Sequence, residues 1–276
     1  MFELPECVTL TRQMNETLRG KAVQRGRLGN SPHKFVWYNR KPAEFEKLTR
    51  GKKVGKALTR GRWLCLALEP GYVLVIGECG GRILFHSTAE DRPAKHHLLL
   101  EFEDGSALSV LTQMWGGMEL YEAGKELERP YIKDQRVTPD SPRFTWKYFS
   151  KLVDSLLEGP KHSVKELLVQ HQTIPGLGNS IAQDIMFRAR LHPRRPIAEL
   201  SAPERRRLYD TIVGLVKEVT VKGGRADEFD LFGKHGGYLR VMDSSAAGKP
   251  CPECGAKVQK IAYLGGAAYF CPRCQS

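Results

Sequence analysis

The chain has 276 residues, and its 43 lysines and arginines against 31 aspartates and glutamates give a formal net charge of +12. That length accommodates two domains and a small additional module, and no apolar run approaches the roughly 20 residues that a membrane-spanning helix needs. The basic residues are spread along the whole chain, which favours a folded protein with a polyanionic partner, most simply nucleic acid. A soluble protein with a basic surface and no such partner is the alternative.

The first twenty residues predict a helix. Pro5 and Glu6 suit a first helical turn, because proline lacks an N–H group that would be unpaired there and a carboxylate favours the positive end of the helix dipole. Apolar residues follow at three- and four-residue spacing from position 7 to position 18, and Gly20 suits the end of the helix. Glu3 stands just before this helix, and spacing alone predicts that it is a surface charge.

Residues 52–120 predict an antiparallel β-sandwich. Short apolar or alternating runs lie at 63–68, 72–76, 82–85, 98–102 and 107–111. Turn dipeptides separate several of them, and many short strands with close turns are typical of a sandwich. Met114 and Trp115 follow the last run beside two glycines. A tryptophan in such a place is more often a core residue than an exposed wedge, and both interpretations stay open.

Helices are predicted in the second half of the chain. Residues 129–144 are charged and contain three prolines, which indicates a linker. The apolar period then becomes helical, with about four helices between residues 145 and 222. Ser163 and Glu166 have the spacing of a capping box at the start of one of them.

A glycine-rich turn precedes the helix that begins near residue 180. Gly176 and Gly178 allow a backbone to approach a ligand closely, and Asn179 adds a side-chain donor. The N–H groups at the start of a helix form a site for anions. The turn therefore predicts phosphate binding, although most turns of this kind only cap a helix.

Four cysteines at the C-terminal end have the spacing of a metal site. Cys251 and Cys254 form one CxxC pair, and Cys271 and Cys274 form a second. Two such turns joined by a hairpin give the tetrahedral sulfur site that structural zinc occupies. Two disulfides are the alternative, but they need an oxidising compartment, and the first residues do not resemble a signal peptide. One structural Zn²⁺ in a zinc ribbon is the prediction.

Three segments together resemble the formamidopyrimidine-DNA glycosylase / endonuclease VIII family of base-excision repair enzymes. They are Glu3-Leu4-Pro5-Glu6, residues 172–193, which resemble the helix–two-turns–helix motif, and the ribbon at 248–275. The resemblance implies an α+β multidomain fold. In this fold residues 1–128 form an antiparallel β-sandwich of catalytic type with a flanking helix, 129–144 a linker, 145–222 a helix–two-turns–helix DNA-binding domain, 223–247 a connection like the family's lesion loop, and 248–276 the zinc ribbon.

The resemblance also implies a chemistry, in which an N-terminal proline exposed by loss of Met attacks the sugar and forms an imine while the next glutamate moves protons. Glu3 and Glu6 match that signature, but Phe2 stands in place of the proline. Removal of Met before a large residue is unusual, so we expect Met1 to be retained, with its primary amine one residue further out. The departure puts imine formation and strand cleavage in question.

Several DNA-contacting positions of the family differ as well. Arg62 matches an active-site lysine and keeps a charge for phosphate, whereas Met114 and Trp115 stand where the family carries arginine and phenylalanine wedges. Glu78 takes the place of a methionine wedge, and Gly266 that of a minor-groove arginine in the ribbon. The turn at Gly176, Gly178 and Asn179 is kept, and the resemblance favours Trp115 as a wedge.

Three functions follow as hypotheses. The first is a DNA glycosylase that removes damaged bases from duplex DNA with little or no strand cleavage. The second is an enzyme that still forms an imine through the Met1 amine. The third is a binding module for damaged or distorted nucleic acid with no chemistry. A monomer located in the cytoplasm, nucleoid-associated in a bacterium, is expected, and residues 229–247 contain no pattern that identifies the lesion.

Overall fold

The computed structural model describes every residue except Pro32 and Asp134, the second of which lies in the predicted linker. The described residues form two compact units. The first comprises Met1–Gln135 and Thr220–Tyr238, and the second comprises Arg136–Val219 and Leu239–Ser276. Among the described residues, no helix combines the length and apolar character that crossing a bilayer requires.

The first unit is a two-sheet sandwich. Its helices and strands are α1 Leu4–Thr17, β1 Val23–Leu28, β2 Val36–Tyr38, α2 Pro42–Thr49, β3 Lys53–Arg60, β4 Trp63–Glu69, β5 Tyr72–Gly77, β6 Gly81–His86, β7 Leu98–Phe102, β8 Ala107–Thr112 and β9 Gly116–Glu122. One sheet has the order β1-β7-β8-β6 and the other β2-β9-β5-β4-β3. The pairs within the sheets are antiparallel except the short β2–β9 pair, which is parallel. The predicted antiparallel sandwich with a flanking helix is therefore confirmed.

Both sheets and α1 bury their apolar faces in one core. Leu66, Leu74 and Leu120 enter it from the larger sheet, and Leu100 and Leu108 from the smaller one. The stripe of α1 packs against the same core, as its spacing predicts, through Cys7, Leu10, Met14 and Leu18. Full burial of one leucine contributes roughly 1.5–3 kcal/mol, so this core fixes the position of α1 and of the residues that precede it.

The second unit contains helices and a hairpin. Its elements are α3 Trp146–Leu157, α4 Val164–Val169, α5 Asn179–Arg188, α6 Ala202–Val221, β10 Gln259–Tyr263 and β11 Gly266–Phe270. The last two residues of α6 belong to the first unit. The predicted capping box of Ser163 and Glu166 starts α4. β10 and β11 pair antiparallel and form the hairpin that is predicted between the two cysteine pairs.

The hairpin is joined to the helices by buried polar contacts. Lys165 of α4 is buried, and its ammonium donates to the carbonyls of Tyr263 (2.8 Å) and Ala267 (3.2 Å). Burial lowers the pKa of Lys165. Gln183 of α5 accepts a hydrogen bond from the Tyr269 N–H at 3.1 Å. Helices and hairpin therefore share one polar framework.

Candidate functional site

The first two residues lie inside the first unit. Phe2 is 2% exposed and belongs to the sandwich core. Its backbone N–H donates to the carbonyl of Cys79 at 2.9 Å. The nitrogen at the position of the family's proline is therefore an amide engaged in a hydrogen bond, and an amide nitrogen has no basic lone pair for attack on a sugar.

Glu3 and Glu6 form the N-terminal cap of α1. The Glu3 side chain accepts from the backbone of Glu6, and the Glu3 N–H donates to the Glu6 carboxylate at 2.9 Å. Glu3 is 3% exposed, so the prediction from spacing alone that it is a surface charge is wrong. Its carboxylate lies 3.8 Å from the buried guanidinium of Arg225 in the 220–238 segment, a neighbour that periodicity in α1 cannot reveal.

Arg225 of that segment holds the two carboxylates, and its side chain is 1% exposed. Its Nε and Nη2 donate to the Glu6 carboxylate, both at 3.1 Å, and its backbone N–H donates to the same group at 2.9 Å. Nη1 lies 3.8 Å from Glu3 Oε1. Burial alone would lower the pKa of Arg225, but Glu6 and Glu3 outweigh burial and raise it. The arginine therefore stays charged between them.

Glu228 completes this cluster. Its Oε1 lies 2.8 Å from the amine of Met1 and 3.3 Å from Nη2 of Arg225. Burial raises the pKa of Glu228, although the Met1 amine and Arg225 oppose that shift. Arg225 and Glu228 were not predicted from the sequence. The available signal was a short charged stretch, Arg225 to Glu228, just after Gly223 and Gly224, and such stretches are common on surfaces.

Arg62, predicted to contact phosphate, is paired within the protein. Its Nη2 lies 3.0 Å from Oε1 of Glu78, and its Nη1 lies 3.5 Å from the sulfur of Met1. Arg62 and Glu78, which both differ from the family pattern, therefore form an ion pair with each other. The pair neutralises part of the charge that Arg62 would offer to a phosphate, and its role at DNA stays a prediction.

Met114 and Trp115 lie on the surface, with exposures of 56% and 46%. Trp115 packs against Phe35 with ring centroids 4.7 Å apart. Its carbonyl accepts from the N–H of Gly80 at 3.2 Å, and Gly80 in turn lies against Met1. The interpretation of Trp115 as a core residue is therefore wrong. The tryptophan forms half of an exposed aromatic pair near the N-terminal cluster.

The predicted anion-binding turn lies at the start of α5. Gly176 has a φ of +86°, which favours glycine, and its N–H donates to the Gln172 side chain at 2.9 Å. Gly178 is the N-cap residue. Asn179 is exposed, and its amide donates to the carbonyl of Ala267 at 3.2 Å. The structure thus brings Asn179 to the hairpin of the ribbon, and its phosphate contact stays a prediction.

The four predicted cysteines converge. Their sulfur atoms all lie within 4.8 Å of one another, with Cys251 to Cys274 at 3.9 Å and Cys254 to Cys271 at 3.4 Å. Zn–S bonds of about 2.3 Å in a tetrahedron require sulfurs about 3.8 Å apart, whereas a disulfide requires about 2.0 Å. These residues therefore fit a structural Zn²⁺ and not two disulfides.

The sandwich, the helical domain and the four-cysteine ribbon define a multidomain zinc-finger protein, and known proteins carry the same three parts in the same order along the chain. Three family models match along the chain. They are the formamidopyrimidine-DNA glycosylase N-terminal domain over residues 1–113, the H2TH domain of the same glycosylase over 137–229, and the zinc finger found in FPG and IleRS over 248–276.

Full-length relatives agree with the family models. A formamidopyrimidine-DNA glycosylase of Symbiobacterium thermophilum is 30% identical over all of this chain and 89% of its own length. One from Geobacillus kaustophilus is 28% identical over the whole of both chains. The chain belongs to the formamidopyrimidine-DNA glycosylase family.

Solved structures show the same fold. The MutM (Fpg) protein of Thermus thermophilus superposes with a TM-score of 0.82 at 26% identity, over 99% of this chain and 98% of that one. A complex of Lactococcus lactis Fpg with DNA that contains an abasic site gives a TM-score of 0.84 at 24% identity, over 99% of both chains.

Proposed function

We propose that this protein excises damaged bases from duplex DNA and leaves the strand largely intact. The observation that carries the proposal is the cluster of Glu3, Glu6 and Arg225 beside the chain's first residue. Burying several charges is costly even when they are paired, and such clusters are concentrated at functional sites. Glu3 and Glu6 stand at positions that match the family's N-terminal signature.

Glu3 is the proposed proton-transfer residue. In hydrolytic excision the N-glycosidic bond breaks, a water oxygen bonds to the sugar C1′, and the departing base takes a proton. A carboxylate fixed at the site can accept the proton from water or deliver one to the base. Arg225 and the capping box keep Glu3 and Glu6 in place, which supports positioning roles for Arg225 and Glu6.

Three separate observations support DNA binding. The net charge of +12 favours a polyanion, Asn179 is exposed at a helix start, and Trp115 offers an exposed ring next to Met114. We infer that Asn179 and the backbone at Gly176 and Gly178 contact phosphates, and that Trp115 enters the stack after the lesion base has left it. A cytoplasmic monomer acting on damaged duplexes is the corresponding cellular proposal.

A binder of damaged DNA without chemistry is the second candidate. Phe2 in place of the proline, and Arg62 in place of a lysine and paired with Glu78, favour it, because both positions lack amines that the resemblance assigns to the family's reaction. Imine formation by the Met1 amine would be a third outcome. A nicking assay, with a binding measurement on the same duplexes, separates all three.

The test is a nicking assay on end-labelled duplexes that carry a panel of oxidised and ring-opened bases or an abasic site. Wild type, Glu3→Gln and Glu16→Gln, a control that removes an exposed carboxylate of the same helix, are compared with and without hot alkali. We expect breaks only after alkali, lost in Glu3→Gln and retained in Glu16→Gln. Breaks without alkali would assign lyase activity. Tight binding with no product on any duplex would favour the binder.

A further inference from the structure

Met1 is held by three different side chains. Its amine lies 2.8 Å from Oε1 of Glu228, and its carbonyl accepts from Nη2 of Arg225 at 2.8 Å. Its sulfur lies 3.5 Å from Nη1 of Arg62. Removal of a first residue with a single contact would cost little stability, whereas removal of Met1 would break three contacts.

Glu228 is itself fixed in position. Its backbone N–H donates to the carbonyl of Arg225 at 3.1 Å, and its own carbonyl accepts from the N–H of Gly236 at 3.2 Å. Gly224 could not carry a side chain without pressing on Glu6, since a β-carbon there would lie 3.1 Å from the Glu6 Cγ. The turn is therefore built tightly against the N-terminal cluster, with the Glu228 carboxylate directed at the amine.

We propose that Glu228 holds the Met1 amine as an ammonium ion and thereby prevents it from forming an imine with the sugar. A nucleophilic amine needs its lone pair, and enzymes that use amines place them in apolar surroundings or beside cations so that they lose their proton. Here the amine nitrogen itself is paired with a carboxylate oxygen at 2.8 Å, whereas the guanidinium groups of Arg225 and Arg62 contact the carbonyl and the sulfur of Met1. A carboxylate in this position stabilises the protonated amine. Glu228 is thus a positioning residue that suppresses strand cleavage, an inference that rests on the proposed function.

The test uses an abasic-site duplex and sodium borohydride, so that no base excision is required. A free amine condenses with the C1′ aldehyde and releases water, and hydride from borohydride then reduces the C=N bond to a stable secondary amine. We expect little trapped product with wild type and on the order of tenfold more with Glu228→Gln, the factor that a hydrogen bond to a charged group is worth. Glu90→Gln, which neutralises an exposed carboxylate of the same unit, should behave as wild type.

Peptide mapping identifies the amine. Tryptic cleavage after Arg12 gives a peptide of residues 1–12 that contains no lysine, so a sugar adduct on it lies at the terminal amine. The unreacted peptide must begin at Met1. Glu228→Asp, which keeps the charge but shortens the side chain, should give an intermediate gain and remains informative if Glu228→Gln does not fold.

Three results would overturn the proposal. They are equal trapping by wild type and by folded Glu228 variants, an adduct on another peptide, and a mature chain that begins at Phe2. Failure of the proposed function appears elsewhere, as absence of base release from the lesion panel, and a gain in trapping would still stand beside it.

Discussion

A single guanidinium organises the N-terminal cluster at the scale of residues. Arg225 lies within ion-pair distance of Glu3, Glu6 and Glu228. Each carboxylate would be expensive to bury alone, but a planar donor with five N–H groups can satisfy several of them at once. Phe2 takes no part in this ion-pair cluster. Its side chain packs in the sandwich core, and the charged groups of the N-terminal cluster come from other residues.

The exposed aromatic pair leads to a prediction about DNA preference. Trp115→Ala should reduce the preference for damaged over intact duplex about fivefold or more, because stacking of a base on an aromatic side chain contributes about 1–3 kcal/mol. Thermal stability should change little, since the ring is only half-buried. Fluorescence anisotropy with lesion and intact duplexes measures this, and Tyr131→Ala, an exposed aromatic of the same unit, is the control. Unfolding without a change in preference would contradict the assignment.

At the scale of elements, a buried ion pair joins the middle of β9 to Arg129, which lies beyond the end of the strand. Arg129 donates to both carboxylate oxygens of Glu119, at 2.6 and 3.1 Å, and its guanidinium lies 3.5 Å from the ring centre of Trp63. Trp37 and Tyr121 donate to the same carboxylate. Burial alone would raise the pKa of Glu119, but these donors, Arg129 foremost, hold it below its ordinary value.

Arg129→Met should lower the free energy of unfolding by about 3 kcal/mol at pH 7, because it leaves a buried carboxylate without its partner. The stabilisation that a lowered carboxyl pKa provides is present above the ordinary value of 4.5 and is lost as the pH falls through the folded value. The difference between variant and wild type should therefore shrink below about pH 4.5. Urea unfolding at pH 7 and pH 4 checks this, and an equal difference at both would refute it.

The ribbon is the second element that leads to a prediction, because its folding should depend on bound zinc. Zinc binding supplies the folding energy of such subdomains, about 10–16 kcal/mol in isolated zinc-finger peptides. Cys254→Ser should abolish stoichiometric zinc, lower the melting temperature and weaken DNA binding, and a strong chelator should do the same to wild type. Cys65→Ala, which removes a buried thiol far along the chain from the ribbon, should keep one zinc per chain. Full DNA affinity after complete loss of zinc would contradict this role.

At the scale of the whole molecule, charge determines how binding responds to salt. A protein with a net charge of +12 that neutralises several phosphates releases counterions, so log affinity should fall linearly with log salt. We expect a slope of about −3 or steeper, similar for intact and damaged duplexes, because phosphate contacts carry no sequence information. Titrations between about 50 and 200 mM KCl, a range typical for such measurements, test this. An affinity that is insensitive to salt would assign binding to uncharged contacts.

The parts of the fold that sequence predicts are those with strong local patterns. The α1 stripe, strands β4 to β8 and the cysteine ribbon follow from periodicity and spacing. Strands β1 and β3 did not, because glycine and charged residues interrupt them and only their neighbours in the sheets make them strands. The N-terminal cluster was half predicted. Glu3 and Glu6 follow from a motif, whereas Arg225 contacts Glu6 across 219 positions of sequence.

The contacts of the hairpin have a consequence for modularity. Lys165 is capped by two hairpin carbonyls, and Gln275 donates to the carbonyl of Leu191 at 2.9 Å. A chain that ended before residue 248 would lose both acceptors of the Lys165 ammonium and the donor to the Leu191 carbonyl, and water would have to replace them. The C-terminal ribbon therefore depends on side chains outside it. A chimera that exchanges the ribbon between family members would also have to include Lys165 and Gln183.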